Sequence, residues 1–127
     1  MDDHCRALDL ILTRGRPGEV YNVGGGYETS NLTVVETLCS AIDEVFRNDS
    51  GMAKRYPAAP AATGNPTSSL KSFVPDRLGH DRRYAIDCAK IERELGYRAQ
   101  AQNFAAGFAA TLAWYLGHAD WLSGKTA

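Results

Sequence analysis

Three arginines and one histidine fall within nine residues, in the run Asp76-Arg77-Leu78-Gly79-His80-Asp81-Arg82-Arg83-Tyr84. Arginine suits phosphate because its planar fork donates paired hydrogen bonds and holds its charge at any ordinary pH. Gly79 lets a backbone come close to a ligand, since it carries no side chain. His80 can stack on a ligand or bond to it near neutral pH. The same residues also describe a solvated loop in which Asp76 and Asp81 pair the arginines. An exposed pair such as Asp81 and Arg82 is worth little. Spacing alone leaves both readings open.

A second segment, Tyr21-Asn22-Val23-Gly24-Gly25-Gly26-Tyr27-Glu28-Thr29-Ser30-Asn31, places glycines between a strand-like stretch and a helix start. That order resembles a phosphate-binding turn. The dinucleotide spacing G-x-G-x-x-G fails, because Thr29 stands where the third glycine is needed. A structural turn is therefore the better reading. Asn31 can cap the next helix, contact a ligand, or do both.

Other chemistry is missing. No tyrosine is followed four residues later by lysine, and there is no Walker, H-E-x-x-H or G-x-S-x-G pattern. The chain offers no catalytic constellation of its own. Cys5, Cys39 and Cys88 are widely spaced, odd in number and without a CxxC pair, so neither a metal site nor a disulfide framework is expected. They read as reduced, buried thiols of a cytoplasmic protein.

Composition narrows the function further. The 127 residues fit one domain, with 44% hydrophobic and 23% charged residues, as in ordinary soluble proteins. A net charge of -1 gives no general attraction to nucleic acid or to an anionic membrane. Any phosphate site must come from local placement of Arg and Lys. No apolar run reaches membrane-spanning length. Asp2, Asp3, His4 and Arg6 interrupt any signal-peptide pattern.

The elements that must position these residues follow from periodicity. Asp3 to Thr13 is expected as a helix, with Ala7, Leu8, Ile11 and Leu12 on one face. Glu19 to Val23 reads as a short strand. Asn31 is expected to cap a helix to about Phe46, with Leu32, Val35, Leu38, Cys39, Ile42 and Phe46 inward. Residues 48–69, rich in Ala, Pro, Gly, Ser and Thr, read as a long flexible surface loop. Short strands are expected at Ser72 to Val74 and Tyr84 to Ile86. Asp87 should cap a helix from Cys88 to Leu95, closed by Gly96. Asn103 should cap a last helix from Phe104 to about Leu116, with Trp114 and Trp121 packing the end of the domain. The fold class is α/β and mostly helical, with few short strands and no complete Rossmann sheet.

Several of these segments together resemble the dTDP-D-glucose 4,6-dehydratases, which are extended short-chain dehydrogenase/reductases. They are Asp3 to Leu8 (DHCRAL), Gly18 to Gly25 (GEVYNVGG), Asp76 to Asp87 (DRLGHDRRYAID), Lys90 to Tyr97 (KIERELGY) and Trp114-Tyr115-Leu116. The Asp76–Asp87 run is the most specific of them. The resemblance implies a C-terminal substrate-binding domain over 1–127, whose residues 1–26 would belong to the cofactor-binding Rossmann domain. It implies that Asn31 contacts the substrate. It also implies that Asp76, Arg77, Gly79 and His80 form the loop over the nucleotide diphosphate, with Arg77 on phosphate. Leu78 stands where the family usually has proline, which would fix the backbone there. The family enzyme acts on dTDP-glucose with tightly bound NAD. It oxidises the sugar at C4, eliminates water across C5 and C6, and returns hydride to C6. Those steps use residues that would precede residue 1, so NAD is not expected to bind this chain alone. Met1 stands where the family usually has valine, which suggests an internal start or a truncated gene; upstream DNA without a dehydratase segment would exclude this. Unpaired edges left by the missing sheet predict self-association or a Rossmann-domain partner.

Overall fold

The computed structural model describes residues 1–100 and 104–123. Its helices are α1 (Asp2–Arg14), α2 (Asn31–Asn48), α3 (Met52–Arg55), α4 (Ala89–Leu95), α5 (Phe104–Gly117) and α6 (Ala119–Ser123), with 3-10 turns at Pro60–Thr63 and Thr67–Leu70. The chain divides into two compact units. The first joins Met1–Glu28 to Gly79–Phe104, and the second joins Thr29–Leu78 to the residues from Ala105 onward. Among the described residues no strand is paired, and no helix is long and apolar enough to cross a membrane.

The first unit is built on α1 and α4. Asp2 and Asp3 sit in the first turn of α1 and Arg14 in its last, each complementing the helix dipole. Ala7 and Ile91 are fully buried and pack with Leu95 and Tyr97; Leu10, Ile11, Tyr21, Val23, Cys88 and Ala99 close around them. The expected apolar face of α1 therefore splits. Ala7 and Ile11 turn inward, while Leu8 and Leu12 remain 52% and 86% exposed. Gly96, at φ +70°, ends α4 as expected, and its N–H bonds to the Glu92 carbonyl.

Two contacts tie the start of α1 to residues after α4. The Tyr97 hydroxyl donates to the Asp3 carbonyl at 3.1 Å, and the Gln100 N–H donates to the Asp3 carboxylate at 2.9 and 3.0 Å. Burial, and next the nearby Asp3 charge, push the Tyr97 phenol above its ordinary pKa.

The strand expected at Glu19 to Val23 is not formed, and neither are those at Ser72 to Val74 and Tyr84 to Ile86. A strand exists through pairing with a neighbour, and none of these segments has one among the described residues. Side chains hold the first of them instead. Lys90 bonds Glu19 at 2.5 Å and the Val20 carbonyl at 3.0 Å, and its ammonium lies 4.8 Å from the centre of the Tyr21 ring. The Tyr21 hydroxyl reaches Glu94 at 3.2 Å.

In the second unit, Ser30 caps α2, its hydroxyl accepting the Thr33 N–H at 3.1 Å. This corrects the expected cap. A capping side chain must leave from an extended residue just outside the helix, and Asn31 is already inside. Cys39 is buried on the inner face of α2, but Leu32 and Val35 stay 44% and 40% exposed. Regular structure also occurs where composition suggests a loop. Pro60 starts one 3-10 turn and Gly64, at φ +81°, stops it. Met52 and Thr67 are buried.

Thr67 is held by Asp43 of α2, whose Oδ1 accepts its N–H at 2.9 Å and its hydroxyl at 2.5 Å. The Thr67 hydroxyl first, then its N–H, hold the Asp43 carboxyl below the ordinary range. A carboxylate with a depressed folded pKa stabilises the fold above its unfolded value, near 3.9, and loses that contribution as pH falls through the folded value. Melting of the second unit should therefore shift down as pH falls below about 4. In Asp43→Asn that pH dependence should flatten, and melts followed by Trp114 and Trp121 fluorescence at pH 7 and pH 3 check this.

Helix α5 carries no charged residue, and none of its residues is buried. Trp114 stacks on His118 at 4.3 Å and meets Trp121 edge-on at 5.5 Å, and each tryptophan stays nearly half exposed. An Arg55 guanidinium bonds the Leu116 carbonyl. The expected cap Asn103 lies outside the described residues.

Candidate functional site

The five residues singled out in the sequence are divided between the units. Asn31, Asp76 and Arg77 belong to the second, and Gly79 and His80 to the first. Asn31 is the first residue of α2 and is exposed. The Asp76 Oδ1 accepts the Arg77 backbone N–H at 2.9 Å, which fixes the turn where the loop begins. Leu78 is fully exposed. Gly79 adopts φ +70°, a left-handed angle that strains other residues, and a Cβ built there meets nothing within 4 Å. His80 is exposed beside it.

The first unit also joins the glycine turn to the second half of the arginine-rich run. Arg83 makes a two-pronged pair with Glu28, Nε to Oε2 at 2.6 Å and Nη2 to Oε1 at 3.0 Å. The Asn22 amide donates to the Asp87 carbonyl at 3.2 Å. Between these segments lies a cleft of about 390 Å³, with Gly25, Gly26 and Tyr27 on one side and Tyr84, Ala85 and Ile86 on the other. The Asp87 carboxylate accepts the Ala89 N–H at 2.8 Å, although Cys88 occupies the capping position proper. Sequence reading missed the Glu28–Arg83 pair. Arg83 stands out in the sequence only as one of the basic residues, and nothing local signals a partner 55 positions away.

Gly24 shows what the glycine turn does. A Cβ there would lie 2.7 Å from Ile86 Cγ2 and 3.3 Å from Cys88 Sγ. The missing side chain makes room for the protein's own packing rather than for a phosphate. With Thr29 in the third glycine position, these residues do not fit a dinucleotide cradle. Among the described residues no three His, Cys, Asp or Glu side chains gather as metal ligands.

Comparison with known proteins settles the family. The family model described as GDP-mannose 4,6 dehydratase matches residues 1–110. The chain belongs to that family. Within the GDP-mannose 4,6 dehydratase family, it is similar to proteins named for a different sugar nucleotide. It is 46% identical over 121 residues to a probable dTDP-glucose 4,6-dehydratase of Sinorhizobium fredii, covering 95% of this chain. It is 40% identical to a dTDP-glucose 4,6-dehydratase of Xanthomonas campestris over 98% of the chain, and 41% identical to one of Salmonella typhimurium over 97%. The chain spans only about 30% of the length of these relatives. The mostly helical architecture agrees with a C-terminal part of an extended short-chain dehydrogenase, so the fold class read from the sequence stands, without its strands.

Proposed function

We propose that this chain is the nucleotide-sugar-binding part of a dTDP-glucose 4,6-dehydratase and has no turnover by itself. The carrying observation is similarity of 38 to 46% identity over 95 to 98% of the chain to proteins of that name. Arg77 takes the diphosphate, Gly79 lets the loop close on it, and Asp76 holds the start of the turn. Asn31 and His80 complete the contacts to the sugar nucleotide. The role of this chain is binding and orientation, which lower the entropy of bringing the sugar to a reacting centre. Conversion to the 4-keto-6-deoxy sugar, and the NAD it needs, are assigned to polypeptide outside this chain. The three free thiols suit the reducing cytoplasm, although only Cys39 is buried as the sequence suggests, with Cys5 exposed and Cys88 half-buried.

Leu8, Leu12 and Val20 of the first unit expose 52%, 86% and 75% of their surface. Leu8 and Leu12 lie one helical turn apart on the same face of α1, and neighbouring exposed apolar side chains mark a missing partner. The same face favours a second reading, a separate subunit that acts only with a cofactor-binding chain.

Both readings meet one experiment, in which this chain replaces the matching C-terminal segment of the Sinorhizobium relative. The chain alone should self-associate by light scattering and give no product from dTDP-glucose and NAD. The chimera should be free of that association and should turn over. Product from the isolated chain, or a folded chimera that binds no dTDP-glucose, refutes the proposal. Activity restored by mixing the two pieces unlinked favours the subunit reading.

A further inference from the structure

We infer that the Glu28–Arg83 pair is a positioning clamp: it sets the foot of the loop that carries Gly79 and His80, and Arg83 serves the ligand through that loop without touching it. This role rests on the Asp76–His80 loop being the diphosphate site proposed above. Three ties join the glycine-turn segment to the arginine-rich run inside the first unit. The Asn22 amide donates to the Asp87 carbonyl at 3.2 Å. Gly24 lies so close to Ile86 that a Cβ there would come within 2.7 Å of its side chain. Arg83 grips both carboxylate oxygens of Glu28, at 2.6 and 3.0 Å. Positions rise along one segment as they fall along the other, so the two run antiparallel. Among the described residues no backbone ladder joins them. Of the three ties, Glu28–Arg83 is nearest His80, three residues away, so it holds the loop's foot within about 10 Å of chain.

The pair is suited to steering the loop rather than to holding up the fold. Its side chains are 68% and 48% exposed, and an exposed pair adds little to stability. The buried core of the unit, Ala7, Ile91, Leu95 and Tyr97, includes neither residue. Every residue from Gly79 to Asp87 is exposed, so burial does not fix the course of this stretch and polar ties must. Gly79, at φ +70°, gives the turn a backbone with more than one accessible course, and a fixed point close by selects among them. The fork of Arg83 is also spent. Its Nε and Nη2 already face a carboxylate in the two-pronged geometry that phosphate would need. A phosphate taking that edge must displace Glu28 and sit beside its negative charge.

The first part of the test needs no ligand. Amide NMR relaxation of the whole chain reads backbone order at Gly79 and His80, with Ile91 and Leu95 as references. Arg83→Gln and Glu28→Gln should each lower order at Gly79 and His80 and leave Ile91 and Leu95 unchanged. Arg83→Lys keeps the charge but loses the fork, and should fall in between. Arg83→Glu sets two carboxylates together and should lower order most. The swap Glu28→Arg/Arg83→Glu should restore it. The second part titrates the same chains with dTDP by calorimetry. Arg83→Glu should weaken binding about tenfold, from a lost pair plus a new repulsion, and the swap should recover most of that loss. A carboxylate at position 83 in direct contact with phosphate would instead repel it, so the swap separates positioning from contact. Order unchanged at Gly79 and His80 in Arg83→Glu, or lost equally at Ile91 and Leu95, overturns the clamp. So does a swap that restores order but not dTDP binding, because Arg83 would then be a ligand contact. If the unmodified chain binds no dTDP, the diphosphate reading fails and the relaxation result alone decides the clamp.

Discussion

Ile91→Ala is expected to destabilise the first unit by about 2–5 kcal/mol, enough to unfold most of it. Ile91 is fully buried, and its neighbours Ala7, Leu95 and Tyr97 are the other buried members of that core. With so few fully buried side chains, the cavity left by three lost carbons has little around it that can collapse inward. Hydrogen exchange of the α1 and α4 amides reads the effect, and both helices should lose protection together. Leu12→Ala is the matched control. Its side chain is 86% exposed, so its cost should stay within about 0.5 kcal/mol. Equal losses in the two variants would mean that the core has been misplaced.

In the chimeric enzyme, Arg77→Ala should raise KM for dTDP-glucose about 10–100-fold, as losing a charge-assisted bond of about 1.5–3 kcal/mol requires. Arg77 is assigned to the diphosphate, which does not react, so its contact is the same in ground and transition states. Loss of such uniform binding appears in KM and leaves kcat nearly unchanged. Arg77→Lys keeps the charge but not the fork, and should fall between the two. A fall in kcat at constant KM would place Arg77 at the reacting atoms instead.

Much of the architecture was legible because helices announce themselves locally. The apolar spacing from Ala7 to Ile11, the Asp87-to-Gly96 frame and the uncharged stretch from Phe104 each mark a helix from neighbouring residues alone. Strands are not legible in this way, for the complementary reason. Val20, Tyr21 and Val23 have strand-like character, but pairing depends on a partner that the residues themselves do not specify. Asn31 and Ser30 are both good caps, and one residue of helix register decides between them. The buried Met52 and Thr67 lie in a stretch without periodicity, where one methionine or one threonine gives no signal. At the candidate site, the types of Arg77, Gly79 and His80 were readable. The Glu28–Arg83 clamp was not, because it joins positions far apart in the chain.

That long-range closure has a consequence for synthesis. Asp3 is held by Tyr97 and Gln100, 94 and 97 positions later. Helix α1 is complete long before the segment that seats it has been translated. At about 5–20 residues per second, the wait is roughly 5 to 20 s. During it Ala7, Leu10 and Ile11 lack the cover of Ile91, Leu95 and Tyr97, and only the Thr29–Leu78 part of the second unit has been made. A nascent α1 thus keeps its apolar face open until the segment from Ile91 to Tyr97 emerges.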